Sequence, residues 1–122
     1  MIYNTHKALA NLKPNTNWSW SGMEYSGLDW QDSSTKPTES EIDAEVTRLN
    51  NLESMKLLRV ERDERLAACD WRVIMAKETG SNIPAAWKTY RQALRDLPAS
   101  ASPKLDSNGD LDYSSVTWPT QP

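Results

Sequence analysis

The side chains best suited to covalent or metal chemistry are scarce in this sequence of 122 residues, which contains one cysteine, Cys69, and one histidine, His6. A nucleophilic cysteine needs a base within hydrogen-bond reach and surroundings that lower the pKa of its thiol. Cys69 lies beside alanines in a stretch typical of a helix, and His6 alone supplies no orienting partner for a triad. We therefore expect Cys69 to be a small buried residue, and we predict neither a disulfide framework, nor a histidine-rich metal site, nor enzymatic activity.

Carboxylates are the second group that could do chemistry, and they occur in two patterns. Between residues 39 and 70 acidic side chains alternate with basic ones, which is typical of the solvated face of a helix. Asp106, Asn108, Asp110 and Asp112 stand at every second position, as oxygen ligands do in calcium loops. Glycine occupies the fourth rather than the sixth position of that run and no glutamate closes it, so we predict no metal site. No glycine-rich phosphate loop occurs, and no cofactor is expected.

A difference in charge separates two neighbouring segments. Residues 38–70 carry a net charge of −4 and residues 71–97 carry +3, while the whole chain carries −3. In the second segment Lys88, Arg91 and Arg95 share one helical face near two aromatic residues, a combination that binds single-stranded nucleic acid. The overall pI of about 5.1 opposes that function, and we favour ion pairing between the two segments. A small helical regulatory or nucleic-acid-binding module remains the alternative.

The first elements along the chain are a short helix over residues 5–12 and a tryptophan-rich β-hairpin. Trp18-Ser-Trp20 and Leu28-Asp-Trp30 alternate apolar with polar residues at period two, and glycines at positions 22 and 27 separate the two runs. One face of this hairpin would carry the three indoles and Leu28. Such a face is either part of a core or an apolar patch for a partner.

Two helices are expected to follow and to pack as an antiparallel helical hairpin. Thr38 and Glu41 have the spacing of a capping box, so a long helix is predicted from residue 38 to about residue 70. Pro84 is well placed in the first turn of a second helix that ends at Leu97. The residues predicted to pack the two helices together are Leu66, Trp71, Trp87, Tyr90 and Leu94.

The remaining residues, 98–122, contain several prolines and a turn-rich stretch, and they predict an extended C-terminal arm. Its apolar anchors would be Val116, Trp118 and Pro119. We expect that deleting residues 103–122 leaves the helices folded and removes partner binding. The predicted fold is therefore α+β and mostly α, with segments 1–37, 38–97 and 98–122. The apolar runs are short, so neither a transmembrane helix nor a secretory signal is expected.

Several motifs are more specific than composition or periodicity. They are Arg62-Asp63-x-x-Leu66-x-x-Cys69-Asp70-Trp71, Trp87-x-x-Tyr90-Arg91-x-x-Leu94-Arg95-Asp96-Leu97-Pro98, the closing pair Trp118-Pro119, and the lead-in segments Leu12-Lys13-Pro14, Tyr25-Ser-Gly-Leu28-Asp-Trp30 and Lys36-Pro37-Thr38-x-x-Glu41-Ile42. In these motifs the chain resembles the small tail-fibre assembly and tail-assembly-chaperone proteins of tailed bacteriophages. The link Val73-Ile74-Met75-Ala76-Lys77 departs from the acidic, proline-containing link expected of such proteins.

This resemblance implies an interaction protein without a catalytic role. Members help tail fibres to trimerise or to attach, and some stay on the fibre in the finished particle. The implied partner is a phage tail or tail-fibre protein, bound by one or several copies, and not a membrane or a nucleic acid. The implied location is the host cytoplasm during assembly, with or without later retention in the virion tail.

The resemblance and the chemistry of the residues together predict which residues form ion pairs and which contact the partner. Ion pairs between the acidic and basic residues of the motifs are expected to stabilise the helical hairpin; these residues are Asp70, Asp96, Arg62, Arg91 and Arg95. The side chains expected to contact the partner are Trp18, Trp20, Trp30, Val116, Trp118 and Pro119.

Overall fold

Helices dominate the computed structural model, which describes residues 2–122. Its elements, in chain order, are α1 (Thr5–Leu12), β1 (Trp18–Trp20), β2 (Leu28–Trp30), α2 (Glu39–Ala68), α3 (Asp70–Thr79) and α4 (Ala85–Ser100). The predicted α+β class, mostly helical with one small antiparallel sheet, is confirmed. The chain forms two compact units, which we call unit 1 (residues 1–53) and unit 2 (residues 54–122), and α2 contributes residues to both.

The sheet of unit 1 pairs two tryptophan-containing strands. The strands are antiparallel, with Trp18 opposite Trp30 and Trp20 opposite Leu28. The connection between them contains a short 3-10 helix and Gly22, whose φ of 72° is favourable for glycine because it lacks a Cβ. Period-two alternation predicts this hairpin because successive side chains of a strand point to opposite faces of the sheet.

The core of unit 1 combines residues of α1, β2 and the first turns of α2. Its buried side chains are Ala8, Leu9, Leu28, Ile42 and Leu49, and the three indoles of the sheet pack against them. Glu45 is also buried, and its carboxylate accepts hydrogen bonds from Arg48 at 2.6 Å and from Asn11 at 2.9 Å. The hydrogen bond from Arg48 lowers the pKa of Glu45 below its ordinary value, so this carboxylate stays ionised inside the unit.

Helix α2 begins at the capping box that the sequence predicts. The Glu41 backbone N–H donates to the Thr38 hydroxyl oxygen at 3.1 Å, and the Glu41 carboxylate accepts from the Thr38 backbone N–H at 3.4 Å. The helix continues for 30 residues to Ala68, close to the predicted end near residue 70. Within residues 2–122 no helix combines the length and the apolar character needed to cross a membrane.

Helix α3 occupies a segment for which the sequence analysis predicts only a short link, so the prediction of two helices in this region is incomplete. Cys69, with φ −115° and ψ 8°, separates α3 from α2. The helix ends at Gly80, whose left-handed φ of 68° lets its N–H donate to the Ala76 carbonyl oxygen. Apolar residues surround the axis of α3 instead of forming one stripe, and periodicity therefore does not indicate a helix there.

Helix α4 buries the four side chains whose spacing predicts one apolar face, namely Trp87, Tyr90, Leu94 and Leu97. It extends three residues beyond the predicted end at Leu97. Pro98 is accommodated in the last turn, where its missing N–H costs a single helical hydrogen bond. The backbone N–H of Ala101 donates to the Leu97 carbonyl oxygen at 3.0 Å and closes the helix.

The segment that follows α4 packs against the helices of unit 2. Leu111 and Val116 are buried in one cluster with Leu58 and Leu97, and the Ser54 hydroxyl donates to the Pro103 carbonyl oxygen at 2.9 Å. Val116, which the sequence analysis assigns to a partner-binding surface, is only 7% exposed. Removing its side chain from water stabilises the unit itself, so Val116 is not available to a partner.

Candidate functional site

The guanidinium of Arg91 connects α4 to the junction of α2 and α3. Its Nη1 donates to the Leu66 carbonyl oxygen at 3.0 Å and lies 3.0 Å from the Cys69 Sγ, while Nη2 donates to the Asp70 carboxylate at 2.8 Å. Burial opposes the charged form of Arg91, but the hydrogen bonds to Asp70 and Cys69 outweigh it, and its pKa lies above the ordinary value. A cation at the C-terminal end of α2 also interacts favourably with the unpaired carbonyl groups there.

The other basic residues of the motifs do not make the expected ion pairs across the helices. Arg62 pairs with its neighbour Asp63 at 2.9 Å. Arg95 donates to the neutral side chain of Gln92 at 2.8 Å. Arg91 is therefore the basic residue of the motif that joins two helices through an ion pair in the structure.

We expect Arg91→Ala to lower the free energy of unfolding by about 1.5–3 kcal/mol, because it removes the charge-assisted hydrogen bonds that Arg91 donates to the Leu66 carbonyl oxygen and to the Asp70 carboxylate. Arg95→Ala is the matched control, and a change of about 0.5 kcal/mol or less is expected for this exposed side chain. Urea unfolding followed by tryptophan fluorescence measures both values. Equal losses for the two variants would contradict the assigned role of Arg91.

Arg72 lies between two indole rings. Its Cζ is 3.9 Å from the ring centroid of Trp87 and 4.4 Å from that of Trp71. The two rings differ in environment, because Trp87 is 8% exposed and Trp71 is 51% exposed. Trp71 is predicted to pack inside the helical hairpin, but it belongs to the first turn of α3 and lies outside the core cluster. That cluster consists of Cys69, Trp87, Tyr90 and Leu94, with Leu66 and Ile83 packed against it.

One face of α3 exposes large apolar side chains. Trp71, Ile74 and Met75 are 51%, 57% and 48% exposed, and their i, i+3, i+4 spacing places them on the same side of the helix. We call these three residues the α3 apolar face. Adjacent exposed apolar side chains of this size are a feature of binding surfaces. Ile74 and Met75 are not among the site residues predicted from the sequence, and the apolar run from Val73 to Met75 is the signal that indicates them.

Trp118 packs the end of the chain against α2. Its ring centroid lies 4.2 Å from the Arg65 Cζ and 5.9 Å from the Tyr113 ring centroid. Arg65 pairs with Glu61 at 2.9 Å, and the Tyr113 hydroxyl donates to the other carboxylate oxygen of Glu61 at 3.3 Å. Trp118 and Pro119 are half-buried, so contacts within unit 2 use part of the surface that the sequence analysis assigns to a partner.

The three indoles of the small sheet are half-buried in unit 1. Trp20 stacks on His6 with ring centroids 4.8 Å apart, and Trp18 meets Trp20 edge to face at 6.4 Å. The indole N–H groups of Trp20 and Trp30 donate to backbone carbonyl oxygens at 2.8 Å and 2.7 Å. The polar atoms of the Trp20 and Trp30 rings are thus satisfied within the unit, and the outer ring surfaces of these two residues remain for a partner.

The acidic run near the C-terminus forms a turn. Asp106 Oδ1 accepts the backbone N–H groups of Asn108 at 2.8 Å and Asp110 at 3.0 Å, and Gly109 adopts a φ of 81°. The Asp106 carboxylate therefore stabilises the turn that its own segment makes. In the part of the chain that the structure describes, no group of three or more acidic, histidine or cysteine side chains is arranged to hold a metal ion.

Comparison with known proteins identifies the family. The model of the phage tail assembly chaperone protein family matches residues 55–122, a stretch that begins within one residue of the start of unit 2. No curated protein and no solved structure matches the chain. Because the match covers more than half of the sequence, the chain belongs to the phage tail assembly chaperone protein family. It acts in tail assembly through interaction with phage tail proteins, and this family role is not enzymatic.

Proposed function

We propose that this chaperone binds an unassembled phage tail or tail-fibre protein through the α3 apolar face, in the host cytoplasm. The observation that carries the proposal is the joint exposure of Trp71, Ile74 and Met75 within the part of the chain that matches the family. Exposed apolar surface is unfavourable in water, and covering it with a partner releases that free energy. A tail subunit that is not yet assembled also exposes surface that its neighbours bury in the finished tail. Binding to the chaperone would cover that surface until assembly.

Two contacts behind the α3 apolar face support this role. Arg91 holds the start of α3 through its hydrogen bond to Asp70, and the Arg72 guanidinium lies over the rings of both Trp71 and the buried Trp87. A binding surface whose side chains are already held in place loses less conformational entropy when the partner binds.

We propose that the other elements predicted from the sequence support the α3 apolar face, either by holding unit 2 together or by making secondary contacts with the partner. Helices α2 and α4 act as an antiparallel helical hairpin within the segment 38–97, which follows the segment 1–37 and precedes the segment 98–122 in the chain. The clustering of Leu58 with Leu97, and of Leu66 with Tyr90, supports this arrangement. The outer ring surfaces that we propose as secondary contacts are those of Trp18, Trp20, Trp30, Trp118 and Pro119.

Ile74→Asp is expected to weaken partner binding at least tenfold, because a charge on the α3 apolar face would have to be desolvated on binding. The chaperone is co-expressed in turn with each tail and tail-fibre protein of its phage, and the dissociation constant is measured for the one that co-purifies. Val60→Asp is the matched control, because Val60 is also about half exposed, at 49%, on a helix of unit 2. Unchanged binding by folded Ile74→Asp protein would overturn the proposal.

Transient action and retention in the virion predict different protein compositions of the finished particle. A transient chaperone is absent from purified particles, whereas a retained component is present at a fixed ratio to the tail protein. We propose transient action, because the α3 apolar face would compete with tail subunits for the same surface of the partner. Quantitative mass spectrometry of purified particles tests this choice.

A further inference from the structure

A second surface of unit 2 takes Val73 from a different side of α3 than the α3 apolar face and has a different chemistry. A groove of about 730 Å³ runs between α3 and α4. Half-buried apolar side chains of Val73, Ile83 and Ala93 line it, together with the basic residues Lys88, Arg91 and Arg95 and the acidic residue Asp96. The groove thus combines an apolar floor with positive charge, whereas the whole chain is acidic, with a net charge of −3.

The positive charge of the groove is only partly offset within the protein, because three basic residues line it and one acidic residue, Asp96, lies among them. Lys88 makes no ion pair with any other residue of the range 2–122, and Arg95 donates to the uncharged amide of Gln92. Arg91 also lines the groove, but its charge is offset by Asp70 at 2.8 Å. Two cations, Lys88 and Arg95, are therefore available to an external anion.

The spacing of these two cations matches one particular shape of ligand. Arg95 follows Lys88 by seven positions in α4, which places the two residues on one face about 10 Å apart, two helical turns along the helix. A helix that packs alongside α4 meets both cations when its own acidic residues are also seven positions apart. An apolar stripe on the same helix would cover Val73, Ile83 and Ala93, as in other helix-in-groove complexes.

Single-stranded nucleic acid is a poorer fit to the same groove. Recognition of unpaired bases needs exposed aromatic rings on which the bases stack. The aromatic residues of α4, Trp87 and Tyr90, are 8% and 6% exposed and belong to the core cluster on the other side of the helix. The sequence allows nucleic-acid binding as an alternative because basic and aromatic residues lie close together in this segment. In the structure these aromatic rings are buried and cannot stack on bases.

We propose that this groove binds an acidic amphipathic helix of the tail protein, with Lys88 and Arg95 pairing with two carboxylates two turns apart. The identity of the occupant as part of a tail protein rests on the proposed function. The chemistry of recognition rests on the groove alone. Charge attraction at this site accelerates encounter with the partner, while the α3 apolar face provides contact area.

The test uses the full-length chain and synthetic helical peptides of about 18 residues, five helical turns. All peptides carry the same leucine stripe, flanked at a spacing of seven by glutamate, glutamine or lysine. We expect the glutamate peptide to bind, its affinity to fall as salt is raised, and Lys88→Glu with Arg95→Glu to weaken it at least tenfold. The lysine peptide should bind this double variant better than it binds the original chain.

Lys56→Glu with Lys104→Glu is the matched control, because it changes the net charge by the same amount at exposed positions outside the groove. Unchanged binding of the glutamate peptide by the groove variant overturns the proposal. The proposal is also overturned if a short oligothymidine binds more tightly than the glutamate peptide. The same holds if the protein self-associates in a salt-sensitive manner that the groove variant abolishes. If the peptide does not bind while Ile74→Asp still abolishes capture of the tail protein, the groove assignment fails and the proposed function stands.

Discussion

Truncation of the chain after Ser102 is expected to unfold unit 2. The deletion removes Leu111 and Val116 and exposes Leu58 and Leu97, the four residues of one buried cluster. Burial of an aliphatic side chain contributes about 1.5–3 kcal/mol, so the loss is on the order of 6–12 kcal/mol. This is similar to the entire stability of a small domain, roughly 5–15 kcal/mol.

Circular dichroism and urea titration provide the measurement, with loss of helical signal and of the cooperative transition of unit 2 as the expected result. Truncation after Pro119 is the control, because residues 120–122 are exposed and their removal should leave the transition unchanged. The prediction from sequence, in which residues 98–122 form an extended arm, gives the opposite result for the longer deletion. A truncated chain that kept its original unfolding midpoint would support that earlier view and contradict the structure.

Trp87→Ala is expected to lower the free energy of unfolding by about 3–5 kcal/mol. The indole is 8% exposed, packs in the cluster with Cys69 and Leu94, and meets Tyr90 edge to face at 5.7 Å. Its removal leaves a cavity that the surrounding helices cannot fill without moving, and Arg72 loses one of its two aromatic contacts.

Trp71→Ala is the internal control for this prediction. Both rings stack on the guanidinium of Arg72, but Trp71 is 51% exposed, and its removal is expected to cost about 1 kcal/mol or less. Thermal and urea unfolding of the two variants separate burial from stacking. Losses of equal size would mean that stacking on Arg72, and not burial, determines the contribution of each tryptophan.

Local interactions allowed several features to be predicted from the sequence. The capping box of Thr38 and Glu41, the alternation in β1 and β2, and the spacing of Trp87, Tyr90, Leu94 and Leu97 each depend on residues within one or two turns or strands. The motifs between residues 62 and 98 also indicated the family, because they contain the residues at the junction of α2 and α3 and those of α4 that pack against it. Arg91 belongs to these motifs, and its pairing with Asp70 follows the ion-pair hypothesis.

Only the tertiary structure determined which apolar residues are buried and which are exposed. Trp71 and Trp87 look equivalent in the sequence, but the break at Cys69 assigns Trp71 to α3 and leaves it half exposed. Val116 lies in a proline-rich segment and is predicted from the sequence to be exposed to a partner, but contacts with Leu58 and Leu97 bury it. The groove between α3 and α4 also requires both helices to be in place. These outcomes depend on contacts between residues distant in the chain, whose free energies cannot be read from the composition or periodicity of either segment alone.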